Sequence, residues 1–355
     1  LQLAGLVAAA GQPREVVALH PQAPGLKTER SAQAIGGLER SAGGREGDGR
    51  PRSAHGAGAY ARSPAAPAGM LRAMRIACFG SLNIDLAVRL PHLPAPDETV
   101  LASGLSEHLG GKGANQATAA ARLDAIVAMV GAVGTDAHGD TLLAGLERNG
   151  VDHRHVERRD GPSGTALINV ADDGRVTIVV VPGANGLVGP ETAERAVETL
   201  RACDVLLLQG EVPVQASVRA AELARAGGAI VVANPAPVGP DSSRLIKEAS
   251  LIVLNEGEAA ALGLSPSSSV VVTLGSAGAL VGDRHVPAFP APAVVDATGA
   301  GDAFCGALAV ALARGTTLED AVRQGCAAGS WAVRHLGAEP SLPTCAQLDS
   351  VLAGG

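Results

Sequence analysis

Asp296-Ala297-Thr298-Gly299-Ala300-Gly301-Asp302, followed at once by Ala303-Phe304-Cys305-Gly306-Ala307-Leu308-Ala309-Val310-Ala311-Leu312, is a glycine-rich turn that runs straight into an apolar helical pattern. Glycines let the backbone turn sharply and approach a ligand closely. The new helix points its unpaired N–H groups and positive dipole end outward, where an anion is stabilised. The junction reads as a candidate phosphoryl-transfer centre. Asp302, in the first helical turn, is placed there to accept the proton of an attacking hydroxyl. An Asp that merely caps a helix after a tight turn fits this segment as well.

Outward from this junction, from Arg75 onward, short apolar runs alternate with amphipathic stretches, the texture of a doubly wound α/β fold with a mostly parallel sheet flanked by helices. Strands are expected over 75–80, 126–133, 204–209, 229–233, 251–254 and 270–274. Helices are expected over 113–123, 141–149, 190–202, 214–226, 301–313 and 318–335. The runs 165–170 and 176–181 flank Asp172-Asp173-Gly174, a hairpin signal. Apolar residues also alternate in Thr99-Val100-Leu101-Ala102, which predicts a strand pairing with that hairpin in a small antiparallel lid drawn from about 86–109 and 163–184.

Residues 1–73 differ in kind, with stretches such as Ser41-Ala42-Gly43-Gly44-Arg45-Glu46-Gly47-Asp48-Gly49-Arg50 that cannot bury apolar surface. They are expected to be a disordered or non-native leader before a domain over 74–350. An organelle presequence is the alternative, weakened by Glu15, Glu29, Glu39, Glu46 and Asp48. The 46% hydrophobic content of 355 residues supplies a real core, while the 1% aromatic content means that Ala, Val, Leu and Ile must build it. Scarce aromatics and a net charge of -7 argue against nucleic acid as a partner. Cys78, Cys203, Cys305, Cys326 and Cys345 are scattered and odd in number, which suits a reducing, cytoplasmic location rather than a disulfide framework or zinc site. No apolar run is long enough to imply a membrane span.

Two further segments carry candidate chemistry. In Gly80-Ser81-Leu82-Asn83-Ile84-Asp85, the two-residue period sends Asn83 and Asp85 to one side, where both suit hydroxyl recognition. In Gly110-Gly111-Lys112-Gly113-Ala114-Asn115-Gln116 a glycine turn opens a helix, with Lys112 and Asn115 spaced to reach one pocket. This is no Walker A motif, because Ser106 and Gly113 stand where it needs Gly and Ser or Thr. A dinucleotide fingerprint fails at Phe304, where a third small residue is required, so a nicotinamide-dependent oxidoreductase is disfavoured.

Taken in order, the motifs resemble the ribokinase, or PfkB-like, family of carbohydrate kinases: Asn83/Asp85, Gly110 to Gln116, Asn234-Pro235-Ala236-Pro237, Asn255/Glu258, Thr273-Leu274-Gly275-Ser276 and Asp296 to Asp302, over about 75–342. Lys112 and Ala114-Asn115-Gln116 look like the ribokinase branch rather than fructokinase or adenosine kinase. The resemblance implies ATP-dependent phosphorylation of D-ribose at its 5-hydroxyl. It implies sugar contacts from Asn83, Asp85, Gly110, Gly111, Lys112, Asn115, Glu211 and Asp302, with Asp302 the general base and Thr298, Gly299, Ala300 and Gly301 the anion hole. Asn255, Thr273, Gly275, Ser276, Gly278, Gly301 and Cys326 match nucleotide-side positions, Cys326 replacing a polar residue. Magnesium is expected near Glu258 through water. Potassium is expected on the Asp296 carboxylate, Ser341, and the carbonyls of Thr298, Ala332, His335 and Gly337. Homodimerisation through the lid is implied too. A kinase for deoxyribose or another small sugar, and a catalytically silent sugar or nucleotide sensor, are the alternatives. Asn234-Pro235-Ala236-Pro237 otherwise reads as a strand-ending turn, and Glu211 as an exposed loop acid.

The chain departs from the family between Glu258 and Thr273, where relatives carry an additional helix and this sequence offers only Ala259-Ala260-Ala261-Leu262-Gly263-Leu264-Ser265-Pro266-Ser267-Ser268-Ser269. Exposed apolar surface on one sheet face and a looser nucleotide loop are expected there.

Overall fold

Runs of Val, Ile, Leu and Ala too short for helices alternate with longer stretches whose apolar residues recur at helical spacing. In the computed structural model, which describes residues 73–354, they give β1 (Arg75–Phe79), β2 (Asn83–Leu90), β3 (Gly104–Gly110), α1 (Lys112–Arg122), β4 (Ile126–Gly134), α2 (Ala137–Arg148) and β5 (Asp152–Arg159). There follow β6 (Gly164–Ala171), β7 (Val176–Val181), α3 (Pro190–Arg195), α4 (Val197–Ala202), β8 (Val205–Gln209), α5 (Val214–Ala226), β9 (Ile230–Asn234) and α6 (Ser242–Glu248). The last third contains β10 (Leu251–Asn255), α7 (Glu256–Leu262), β11 (Val270–Thr273), β12 (Ala279–Val281), β13 (Arg284–Val286), α8 (Ala300–Ala313), α9 (Leu318–Ala332), α10 (Ala338–Ser341) and α11 (Cys345–Ala353). The leader expected over 1–73 lies, but for its last position, outside the described residues.

The central sheet has the order β13-β12-β11-β10-β9-β8-β1-β4-β5. Strands β11 to β5 in that order run parallel, and β12 and β13 close one edge antiparallel. Both faces are covered. Along β1, Ile76 and Cys78 join a core built with α1, α8 and α9, whereas Ala77 and Phe79 pack against residues of α3, α4 and α5. Leu207, 1% exposed at the centre of the sheet, shows the scale of this packing: truncation to Ala costs about 2–5 kcal/mol in such a site. This is the doubly wound arrangement expected. Strand order reverses at β1, since β4 and β5 lie to one side and β8 onward to the other. Such a switch point opens a crevice beyond the carboxyl ends of the strands.

A second sheet, β3-β2-β6-β7, rises from that end. The hairpin β6–β7 forms around Asp172-Asp173-Gly174 as expected, and β3 pairs antiparallel with β2. Thr99-Val100-Leu101-Ala102, however, forms no strand, and Leu101 is 88% exposed. The pairing segment begins at Gly104, and β2 lies between it and the hairpin, parallel to β6. Pro190–Ala202 is likewise two helices, broken at Ala196, whose φ of -101° and ψ of 14° are not helical. Strand β5, Asp-His-Arg-His-Val-Glu-Arg-Arg, carries no apolar alternation because it is a sheet edge, where charge blocks further pairing.

The apolar face expected to be bare near Glu258 is covered. Helix α7 starts immediately after β10, and Ile252, Leu254, Val270 and Val272 are 6%, 0%, 6% and 5% exposed in a small core with Ala259, Leu262 and Leu264. An immediate turn into a seven-residue helix brings Leu262 and Leu264 back over the strands, so a short crossover suffices.

Candidate active site

Strands of both sheets deliver side chains to the crevice. Asn83 and Asp85 come from β2, Asn234 from the end of β9, Asn255 from the end of β10 and Thr273 from the end of β11. Lys112 and Asn115 enter from α1, Glu211 from the turn after β8, and Thr298, Gly299, Gly301 and Asp302 from the start of α8. Together with Ala166, Ile168, Ile178 and Val180 of the lid they enclose a cleft of about 480 Å³. A pentose and the phosphate end of a nucleotide fit that size of site.

The paired glycines Gly110-Gly111 are required by geometry. A Cβ on Gly110 would lie 2.2 Å from the Asp85 carboxylate, and Gly111 has φ of 85°, a left-handed backbone. Gly299 caps α8 at φ 80°, and a Cβ there would meet the Ala338 backbone at 2.8 Å. The first helical bond of α8 runs from the Ala303 N–H to the Gly299 carbonyl at 2.8 Å, so the amides of Gly301 and Asp302 precede the ladder. They form the donor end of a 14-residue helix facing the cleft.

Asp302 is 6% exposed. Asn115 Nδ2 donates to its Oδ2 at 3.1 Å and Gln116 Nε2 to its Oδ1 at 3.0 Å. Asp85 is also buried. Its burial, then the carboxylates of Glu211 and Asp302, push it up to about 7, with Lys112 pulling the other way. The Lys112 ammonium is held above its ordinary value chiefly by Asp302, against its own burial, with help from Glu211 and Glu258. The Asn83 Oδ1 accepts from Asn185 Nδ2 at 2.8 Å, which leaves the Asn83 NH2 as the donor for a ligand. Glu211 is no loose loop acid: Oε2 accepts from the Ser81 hydroxyl and from the Lys112 N–H, pinning the start of α1 to the end of β8.

Asn255 and Glu258 form a capping box, with the Glu258 N–H donating to Asn255 Oδ1 at 2.8 Å and the Asn255 N–H to Glu258 Oε2 at 2.9 Å. Both line the cleft, so the motif builds α7 and presents hard oxygens together. Asp296 ties two loops: Oδ1 accepts from the Thr298 amide and hydroxyl, Oδ2 from the Gly337 amide. Burial opposes its charge, but these hydrogen bonds outweigh it and hold the carboxyl below its usual range. Ala338, next to Gly337, is the residue against which Gly299 packs.

Other expected residues stand apart from the cleft wall. Gly110 lies behind Asp85, and Ala300 is the first residue of α8. Gly275 and Ser276 lie in an exposed turn just past Thr273, which the buried Gly278 closes. Ala332 ends α9, His335 and Gly337 lie in the connection to α10, and Ser341 ends α10; the His335 N–H donates to the Ala332 carbonyl and the Ser341 hydroxyl to the Ala338 carbonyl. Cys326 of α9, 6% exposed, is packed in the main core and is not among the residues that line the cleft. Sequence reading passed over Gln116 and Gln209, which back Asp302, and Asn185, which grips both Leu82 and Asn83. It also left Asn234 as part of a turn, although this residue lines the cleft. Gln116 had a signal in its place beside Asn115, whereas Asn185 lies 102 residues from Asn83 and had none.

Residues 73–345 match the pfkB family carbohydrate kinase. The chain is 38% identical over 296 residues to the ribokinase of Bacillus subtilis, covering 79% of this chain and 100% of that one. It is 34% identical over 305 residues to the deoxyribokinase of Salmonella typhi, covering 79% and 99%. The structure of Arabidopsis thaliana ribokinase complexed with ribose and ATP is similar at a TM-score of 0.70 and 31% identity, covering 79% of this chain and 99% of that one. With the family match spanning residues 73–345 and relatives 38% and 34% identical over nearly their whole length, this protein belongs to the pfkB family of carbohydrate kinases.

Proposed function

We propose that the protein transfers the γ-phosphoryl group of ATP to the 5-hydroxyl of D-ribose, releasing ribose 5-phosphate and ADP. The observation that carries this reading is the convergence on one cleft of a buried carboxylate, Asp302, an open helix N-terminus at Gly299 to Gly301, and the polyol-binding set Asn83, Asp85, Lys112, Asn115 and Glu211. A polyol whose hydroxyls match these groups leaves none unpaired, and a sugar lacking one is rejected by the desolvation of its partner. Asp302 accepts the proton of the 5-hydroxyl as its oxygen attacks phosphorus in line, and the amides at the start of α8 stabilise the charge on the moving group. Thr273, Asn255 and the turn 275–278 lie on the nucleotide side. Closure of the lid excludes water that would otherwise hydrolyse ATP.

The residues suit a hard, hydrated magnesium ion. Glu258 brings a carboxylate to the cleft, and no group of three His, Cys, Asp or Glu able to form a protein cage occurs among the described residues, in keeping with an ion held by one acid, water and phosphates. When bound, magnesium neutralises phosphate oxygens. Asp296, which links the loops at Thr298 and Gly337, anchors the proposed potassium site with Ser341 and the carbonyls of Thr298, Ala332, His335 and Gly337. The lid sheet exposes Leu167, Val179 and Val181 at 40%, 56% and 45%, an apolar surface that supports a homodimer formed through the lid. Among the described residues no helix is long and apolar enough to cross a membrane. All five thiols are free, which supports a cytoplasmic location.

A coupled ADP-release assay on a panel of pentoses and hexoses tests the reading. Ribose should give the highest kcat/KM, and Asp302→Asn should abolish turnover while ribose still binds in calorimetry. The similarity to a deoxyribokinase makes 2-deoxyribose the second candidate, chosen if its kcat/KM exceeds that of ribose. No ADP release with any sugar would overturn both, and leave a silent sugar sensor.

A further inference from the structure

Behind Asp302, on the side away from the cleft, lies a chain of two buried amides. Gln116 is 0% exposed and Gln209 1%. Gln116 Nε2 donates to Asp302 Oδ1 at 3.0 Å, and Gln116 Oε1 accepts from Gln209 Nε2 at 2.7 Å. The direction of this chain is fixed by chemistry. An ionised carboxylate only accepts, so Gln116 must turn its NH2 to Asp302 and its oxygen to Gln209. Gln209 must then turn its NH2 forward, and its own Oε1 is left buried without a hydrogen-bond partner. Gln116 Nε2 also reaches Asn234 Oδ1 at 3.4 Å, and Asn234 Nδ2 is itself fixed on the Val253 carbonyl at 3.0 Å.

An orphaned buried oxygen of this kind is rare in a folded protein and calls for a reason. An apolar pair would fill the same space without it. What the arrangement secures is an amide NH2 held on Asp302 Oδ1, a donor whose hydrogen bond is stronger to a carboxylate than to a neutral acid.

We infer that Gln116, oriented by Gln209, is a positioning residue that fixes the rotamer of Asp302 and favours its ionised form, so that the carboxylate meets the sugar hydroxyl ready to accept a proton. This rests on the reading of Asp302 as the base. The groups facing Asp302 are Asn115 and Lys112 from α1, Asp85 from the lid, Cys78 from β1 and Cys305 from α8, with Glu211 beside Asp85 and Lys112. The amide chain adds a neutral donor that does not titrate, so its contribution is the same across the working pH range.

The experiment is the pH profile of kcat for wild type, Gln116→Met and Gln209→Met, with thermal unfolding of each. Loss of a hydrogen bond to the charged form raises the pKa of the base, so the acid limb should move upward by about half a pH unit or more in Gln116→Met, and kcat at neutral pH should fall about tenfold to a hundredfold. Ribose KM should stay within about twofold, because no sugar contact is removed. Gln209→Met should shift the limb in the same direction by less, and the double variant should be no worse than Gln116→Met alone, the signature of residues acting in series. An acid limb that stays in place in folded Gln116→Met, or strictly additive effects, would overturn the inference. If Gln116→Met fails to fold, Gln209→Met decides alone by the same shift. Asp302→Asn, assayed in parallel, separates the two readings: if it retains turnover the base assignment fails, whereas a dead Asp302→Asn with an unmoved limb in the glutamine variants fails the positioning role only.

Discussion

Replacing Asp85 by Asn should raise the stability of the protein above neutral pH while weakening its hold on sugar. The Asp85 carboxyl titrates at about 7 in the fold against an ordinary value of 3.8, because it is buried beside Glu211 and Asp302 and only partly relieved by Lys112. In that window the native state binds a proton that the unfolded chain has released, so stability falls as pH rises and is greatest below the unfolded value. Integrated between about pH 5 and about pH 8, the shift amounts to a loss of roughly 3 kcal/mol, which the Asp85→Asn variant would not suffer. For a domain of this length that corresponds to a difference of about 5 °C in Tm. Denaturant unfolding of wild type and Asp85→Asn at several pH values gives the difference directly, and the nine histidines cancel in the subtraction. Curves that run parallel from acid to alkaline pH would refute the argument that burial among carboxylates, rather than the sugar it receives, sets the charge of Asp85. Ribose should bind wild type more tightly as pH rises through 7, since the ionised carboxylate is the better acceptor for a sugar hydroxyl.

Gly110→Ala should raise ribose KM by about tenfold or more with the fold retained, because its Cβ would sit 2.2 Å from the Asp85 carboxylate and displace it; an unchanged KM would contradict the close approach. Replacing potassium by a large organic cation should lower kcat in the ADP-release assay, and indifference to the swap would remove the proposed site at Asp296. Val179→Lys, on the lid face opposite Ile178 and Val180, should convert a dimer to a monomer in light scattering while ribose KM changes little; an unchanged mass would exclude this surface as the interface.

Legibility followed range. The helix opening at Gly299, the hairpin at Asp172-Asp173-Gly174 and the α/β alternation are set within a few residues, by backbone freedom and side-chain periodicity, and the chain alone determined them. Ordered motifs such as Asn83/Asp85 and Gly110 to Gln116 also announced the residues that the fold brings to one cleft. Strand β5 was not legible, since a charged edge has no inward face to mark with apolar residues. Nor was the cover over Leu254, which a seven-residue helix provides where a missing element was expected. What only tertiary structure decided is how distant groups face one another. Gln209, Gln116 and Asp302 meet across 93 and 186 residues, and Asn185 meets Asn83 across 102. No local pattern encodes such pairings, because they arise from the order in which strands enter the sheet. The raised proton affinity of Asp85 belongs with them, being a property of burial and neighbouring charge rather than of the residue itself.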